Sequence, residues 1–409
     1  MTSEYNLETM SKRIKDDYER LTNDEQGFLS EIALQEENTV RYKAPVSTIR
    51  FYTAEEGDCK DNAPITLSSL CMASDKSGSY VQTVFGVYGA TNEIASQDTQ
   101  ENGTRLYVGF CPEEDGIRHV LPVSDVAKLS LSGRTKVSFS GDISKSGLSP
   151  LALAKVYEDA LKASGSKYVT IIEMYDKMQA MMSSRYTPTS HSELFKAVKR
   201  KAEEVLDSEL QFSIGYISHR LSKCEWSAKK FSADDVSVRL SVRDSSTGYS
   251  GVAIAPVIAM GHKAVLLENS WYAKHMAISD EDIDEGVRAA VFDMEDNAKR
   301  LLDTRHIRIS CPAGFAQNAV KALNRMAARQ KNAKIPANLE SKIVEEADML
   351  SFSQLGEVYL WDIVQIFWSV PEMAGAQPGG VPSNYQESLG RTVSKILALN
   401  YGELDHTAK

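Results

Sequence analysis

VSVRLSVRDSSTGYSGVAIAPVI, Val236–Ile258, is the stretch that decides the fold class of this chain. Val236–Val242 is rich in β-branched residues, Ser245–Gly248 is a Ser-Ser-Thr-Gly turn, and Val252–Ile258 is a second β-type run. A further short run, Ala264–Leu267, follows. Past Ser279 the pattern switches to helical spacing, over 280–302, 312–333, 338–350, 355–369 and 384–399. Strands followed by helices, rather than strict alternation of the two, predict an α+β chain with a strand-rich N-terminal half, a mixed middle and a helical C-terminal third.

Upstream of this stretch the pattern divides the chain further. Residues 1–43 read as a charged helical arm, with Leu7, Met10, Ile14 and Tyr18 at helical spacing among Lys12, Arg13, Lys15, Asp16 and Asp17. Residues 44–146 read as mostly β, from the runs Val46–Thr53, Tyr80–Tyr88, Thr104–Phe110 and Arg134–Ser140. Residues 147–310 form a mixed α/β region. Ser149-Pro150 opens its first helix, and Ser192–Leu206 carries a second with Leu194, Val198, Ala202 and Val205 on one face. Residues 311–409 are a helical region packed on the preceding one, and Ala374–Ser383 is a loop within it.

Of 409 residues, 42% are hydrophobic and 25% charged, the balance of a globular chain and not of a disordered one. The longest apolar stretch, Val252–Met260, is strand-sized and contains Pro256, so no membrane partner is expected. Met1–Asp17 is polar and mixed in charge, unlike a signal or transit peptide. Five cysteines without paired spacing argue for a reducing compartment, the cytoplasm, or the bacterial host cytoplasm if the chain is phage-encoded.

Motifs for phosphate loops, dinucleotide folds, zinc sites and serine nucleophile elbows are missing, so no catalytic residue, cofactor or metal is assigned. Cys311 before Pro312 reads as a small residue near a helix start. Asp280–Glu285 reads as the acidic first turn of a helix capped by Ser279, with cation binding as its alternative.

The most informative stretch for function is Asn297–Lys334. It carries Lys299, Arg300, Arg305, Arg308, Lys321, Arg325, Arg329, Lys331 and Lys334 against the single acid Asp303, a local balance of +8 in a chain of net charge −10. Phe315, Ala319, Leu323 and Met326 define an apolar helix face, and Lys321, Arg325 and Arg329 step by four along the opposite one. Gln317, Asn318 and Asn324 flank that ridge. Like charges at this spacing repel, and a phosphate backbone or internal carboxylates would relieve them. Trp271 and Tyr272, followed by Lys274, add the aromatic and basic pairing on which single-stranded bases stack. Lys196, Lys199, Arg200 and Lys201 are offset by Glu203 and Glu204 and read as solvated surface.

The order strand, Asp244–Gly248 turn, strand Val252–Val257 resembles a widespread family of uncharacterised phage- and plasmid-encoded proteins. Tyr359–Val364 and Tyr385–Leu399 are similar to that family's tryptophan-bearing helix and its following amphipathic one. The family's Cys-x-Asn-Gly element is missing, and Leu267–Ser270 and Cys311–Gly314 are both imperfect equivalents. The resemblance implies a viral or mobile-element origin and a setting in DNA replication, recombination or transcription.

Together these readings predict a non-enzymatic, phage-type accessory protein. It binds single-stranded nucleic acid through Arg305, Arg308, Lys321, Arg325, Arg329, Lys331, Lys334, Trp271, Tyr272 and Lys274. A homo-oligomer or a phage or host polymerase is the expected protein partner. The alternative is a phage structural or assembly protein making homotypic contacts, and a third reading places a nuclease around Asp280–Asp284.

Overall fold

The computed structural model of the chain describes residues 18–54, 81–83, 105–114, 118–137, 150–187, 189–231, 236–248, 250–260, 263–266, 270–274, 278–329, 335–353 and 357–373. The described part begins with β1 (Glu19–Thr22), α1 (Glu25–Glu37), β2 (Thr39–Pro45), β3 (Arg50–Ala54), β4 (Val81–Thr83), β5 (Arg105–Phe110), β6 (Arg118–Pro122) and α2 (Ala127–Thr135). It continues with α3 (Pro150–Ala163), β7 (Tyr168–Met174), β8 (Lys177–Ser183), α4 (His191–Leu206), β9 (Gln211–Ser218), β10 (Ser222–Ser227), β11 (Val236–Asp244), β12 (Val252–Met260), β13 (Lys263–Leu266) and β14 (Trp271–Ala273). The last elements are α5 (Asp280–Asp303), β15 (Arg308–Ile309), α6 (Pro312–Arg329), α7 (Ala337–Ser353), β16 (Val358–Tyr359), α8 (Leu360–Trp368) and α9 (Val370–Met373). The α+β class is as expected, with sheets dominating the N-terminal half and helices the end.

Two hydrophobic cores organise these elements. The smaller holds Phe51, Val108, Phe110, Leu121, Leu131, Leu161, Ile171 and Met181. It lies among a four-stranded sheet of order β3-β5-β6-β4, a three-stranded sheet of order β2-β7-β8, and helices α2 and α3. The larger is built on a seven-stranded sheet of order β1-β9-β10-β11-β12-β13, with β14 also paired to β12. Its antiparallel ladders put alternate residues on opposite faces. Phe212, Cys224, Trp226, Leu240, Val242 and Ile254 face inward, under α1, α4 and α5, and the core continues into α6, α7 and α8.

Two glycines let the helices come down onto this sheet. A Cβ on Gly215 would lie 2.3 Å from the Phe28 ring of α1, and one on Gly286 of α5 would lie 2.8 Å from Trp271. Helix ends follow local chemistry. Ser190 caps α4 by accepting from Glu193 N, and Asp207 closes it in the left-handed region at φ 51°. At α5 Ser279 and Asp282 form a reciprocal capping box.

The structure differs from the sequence reading in its long-range pairings. Residues 1–43 were expected as one helical arm; residues 1–17 lie outside the described residues, and beyond them β1 joins β9 and β2 joins β7, with α1 between. The arm's C-terminal part thus contributes to both cores. The helix α3 and the β7-β8 hairpin pack with the smaller core. Where a strand was expected over 134–140, Ala127–Thr135 is helical and 138–140 lie outside the described residues. The expected helix over 384–399 also lies outside them.

Candidate nucleic-acid interface

Helix α6 positions the expected ridge. Pro312 stands in its first turn, where no intrahelical N–H is lost, and Phe315 N donates to Cys311 O at 2.8 Å. Phe315, Ala316, Ala319, Val320 and Leu323 are buried in the main core, which turns Lys321 and Arg325 outward. Both are exposed, and among the described residues neither has a carboxylate within ion-pair distance. No Asp or Glu occurs from Pro312 to Arg329.

On the helices before it, cations find carboxylates nearby. On α4, Lys196 pairs with Glu193, Lys199 with Glu25, and Lys201 with both Glu204 and Asp284. On α5, Arg288 pairs with Asp284 and Arg300 with Asp296. Of the two acids expected to offset this run, Glu204 pairs with Lys201, while Glu203 accepts from Leu210 N at 3.0 Å. These five cations of α4 and α5 each have a carboxylate partner.

The other expected site residues scatter. Arg305 lies over the Trp361 ring at 4.5 Å, a cation–π contact between the end of α5 and α8. Arg308 is exposed and pairs with Glu357 at 3.5 Å across the short β15-β16 ladder. These two cations are engaged within the molecule. Arg329 is the last residue of α6, and Lys331 and Lys334 lie outside the described residues. Asn324, expected to flank the ridge, instead ties the α6–α7 connection: its Oδ1 accepts Ile335 N at 2.7 Å and its Nδ2 donates to Ile335 O.

Strand alternation separates the expected aromatic pair. Trp271 pairs with Ile254 and packs against α5 at Gly286, on the core side of the sheet. Tyr272 pairs with Ala253 and faces the other way, 50% exposed, next to exposed Lys274. Strand β14 packs on α5, and α6 packs chiefly on α7, so the ridge and Tyr272 are held by different helices.

The acidic run is a helix start. Asp282 is held below the ordinary carboxylate range by hydrogen bonds from Ser279, and Asp284 likewise by Arg288 and Lys201. Among the described residues no group of three or more His, Cys, Asp or Glu side chains could hold a metal ion.

Two polar constellations escaped sequence reading. At one end of the main sheet, His191 Nε2 lies 3.3 Å from Asp244 Oδ2 with both side chains buried, and Tyr186 donates to Ser246 O at 2.9 Å. Burial and the Asp244 charge push the Tyr186 phenol upward. Glu36 accepts from His191 N and Ser192 Oγ, fixing α1 to the start of α4. On the sheet's outer face, Glu225 bonds Lys223 at 2.6 Å and Arg239 at 3.3 Å. Burial alone would raise the Glu225 carboxyl, but the two cations hold it below its ordinary value. The signal that finds the second group is the alternation of Ser237, Arg239, Ser241 and Arg243 with Val236, Val238, Leu240 and Val242.

A scan against models of known protein families and searches of curated proteins and of solved structures find no match to this chain.

Proposed function

We propose that this chain is a non-enzymatic accessory protein that binds single-stranded nucleic acid, in the setting of DNA replication, recombination or transcription. The observation that carries the reading is α6: an eighteen-residue helix with no carboxylate of its own, on which Lys321 and Arg325, four residues apart, are exposed without an internal counter-charge among the described residues. A polyanion supplies that counter-charge, and release of its counterions drives the binding. The phage- and plasmid-type setting follows from the resemblance of the β11-β12 hairpin and of Tyr359–Val364.

Titrating a labelled oligo-dT20 across salt concentrations tests this. Wild type binds more weakly as salt rises, and the triple variant Lys321→Ala, Arg325→Ala, Arg329→Ala loses about 0.7 of salt slope for each phosphate contact removed. Absence of binding at low salt sinks the reading, as does an unchanged slope in the variant.

One observation favours homotypic assembly as a second reading. Phe292 on α5 is 70% exposed and stands three residues from exposed Glu295, an apolar side chain and a negative charge that the ridge of a second copy would cover. Light scattering then shows a concentration-dependent rise in mass that Phe292→Glu abolishes. A monomer at all concentrations excludes it.

A further inference from the structure

Helix α5 carries a stripe that faces solvent. Glu285, Arg288, Phe292, Glu295 and Lys299 are all exposed, and they follow one another at alternating steps of three and four residues, which keeps them on one face of the helix. The opposite face, with Val287, Ala290, Met294 and Leu301, is buried in the main core. The neighbouring helix α4 reaches Asp284 through Lys201 but leaves the stripe exposed. At its middle stands Phe292, at 70% the most exposed large apolar side chain among the described residues.

The charges of the stripe are antisymmetric about that ring. Glu285 lies seven residues before it and Lys299 seven after, while Arg288 lies four before and Glu295 three after. Among the described residues Glu285, Glu295 and Lys299 have no ion-pair partner. Arg288 bonds Asp284 of its own helix through Nε at 2.8 Å and keeps 62% of its side chain exposed, which leaves its terminal nitrogens open to a second carboxylate. A second α5 laid antiparallel, with the two-fold axis at Phe292, sets ring against ring. It also brings Glu285 of each copy opposite Lys299 of the other, and Arg288 of each beside Glu295 of the other. Charge opposes the alternatives. A parallel pair sets each charge against its own copy, and an antiparallel pair slid by one helical turn sets Glu285 beside Glu295 or Arg288 beside Lys299.

We infer that α5 is the interface of a two-fold dimer of this chain, closed by the Phe292 rings and held in register by the Glu285–Lys299 and Arg288–Glu295 pairs between copies. Two-fold symmetry uses the same stripe twice, so the assembly ends at two copies and each pair counts twice. One ring per copy is a small apolar centre, which places the association among the weak, transient ones. The inference goes beyond nucleic-acid binding and does not rest on it, because Lys321 and Arg325 of α6 take no part. It also differs from a contact between Phe292 and the ridge, which joins unlike surfaces and can repeat into chains.

Sedimentation equilibrium of the full chain over a concentration series tests this. Wild type passes from one chain mass to two as concentration rises and goes no further. Phe292→Glu, which sets two carboxylates together at the axis, stays monomeric. Glu285→Lys and Lys299→Glu each weaken the dimer about tenfold, since symmetry turns two attractive pairs into two repulsive ones. Mixed in equal amounts, these two single variants form a heterodimer of about wild-type strength, because each Lys again faces a Glu. The double variant Glu285→Lys, Lys299→Glu regains that strength for the same reason. The substituted side chains are exposed, and unchanged far-UV circular dichroism shows that each variant folds. A wild type that is monomeric at every concentration overturns the inference, as does a mixture that associates no better than either variant alone. Masses beyond two copies that Lys321→Ala with Arg325→Ala abolishes assign Phe292 to the ridge and overturn it too.

Discussion

Glu225→Ala lowers the stability of this protein by about 3 kcal/mol at neutral pH, as measured by equilibrium urea denaturation. Glu225 is 5% exposed and is held by Lys223 and Arg239. Removing it leaves two cations facing each other in a half-dry environment, and that penalty exceeds the modest gain the intact pair gives. Both cations keep about a fifth of their side-chain surface exposed, at 21% and 23%, so water relieves part of the loss and the value falls at the lower end for buried pairs. The pH dependence has a defined sign. The folded carboxyl titrates below its unfolded counterpart, so its stabilisation is present above the ordinary carboxylate range and is lost as pH falls through the folded value. Wild type and Glu225→Ala therefore differ most at neutral pH and converge in acid. A difference that is small at pH 7, or that grows in acid, contradicts this account.

Trp226→Ala costs about 3–5 kcal/mol, the range for deleting a large buried aromatic. The ring is 1% exposed and packs edge-on to Phe212, itself against Phe28, which meets Phe195. This chain of rings joins β9 and β10 to α1 and α4, so the cavity opens where three layers of packing meet. The indole N–H also donates to Glu25 Oε1 at 2.9 Å, and the other oxygen of Glu25 accepts from Lys199 at 2.8 Å. Trp226→Phe retains most of the volume and loses that hydrogen bond, so it costs less than half as much as the alanine change. Far-UV circular dichroism is the right probe, because the substitution removes a fluorophore. Equal losses for the two variants would assign the effect to the hydrogen bond and not to packing.

Helix α6 shows what was legible in the sequence. Its start at Pro312, its buried stripe and the outward step of Lys321 and Arg325 all appear at their expected places, as does the cap of α5 at Ser279. The hairpin of β11 and β12 appears as well, slightly longer than expected. The β7-β8 hairpin does not announce itself. Its turn is Tyr175-Asp176, with both residues at positive φ and no glycine to mark it. The strands β9 and β10 are also hard to read from sequence, because their inward sides carry Gly215 and Cys224 where a bulky apolar residue would strengthen the pattern. Trp271 and Tyr272 read as one aromatic unit, yet adjacent residues of a strand point to opposite faces, and pairing of β14 with β12 sends them apart.

By itself, then, the amino-acid order determined the α+β class, the helix starts and the cationic edge of α6. Each follows from neighbours within a turn or two, since an α-helix bonds each residue to one four positions back and so sets its own faces. Tertiary structure decided which strands lie side by side, that β2 closes on β7, and that Arg305 rests on Trp361. A strand satisfies its hydrogen bonds only with a partner strand, which can come from anywhere in the chain, so a sheet is written in none of its strands alone.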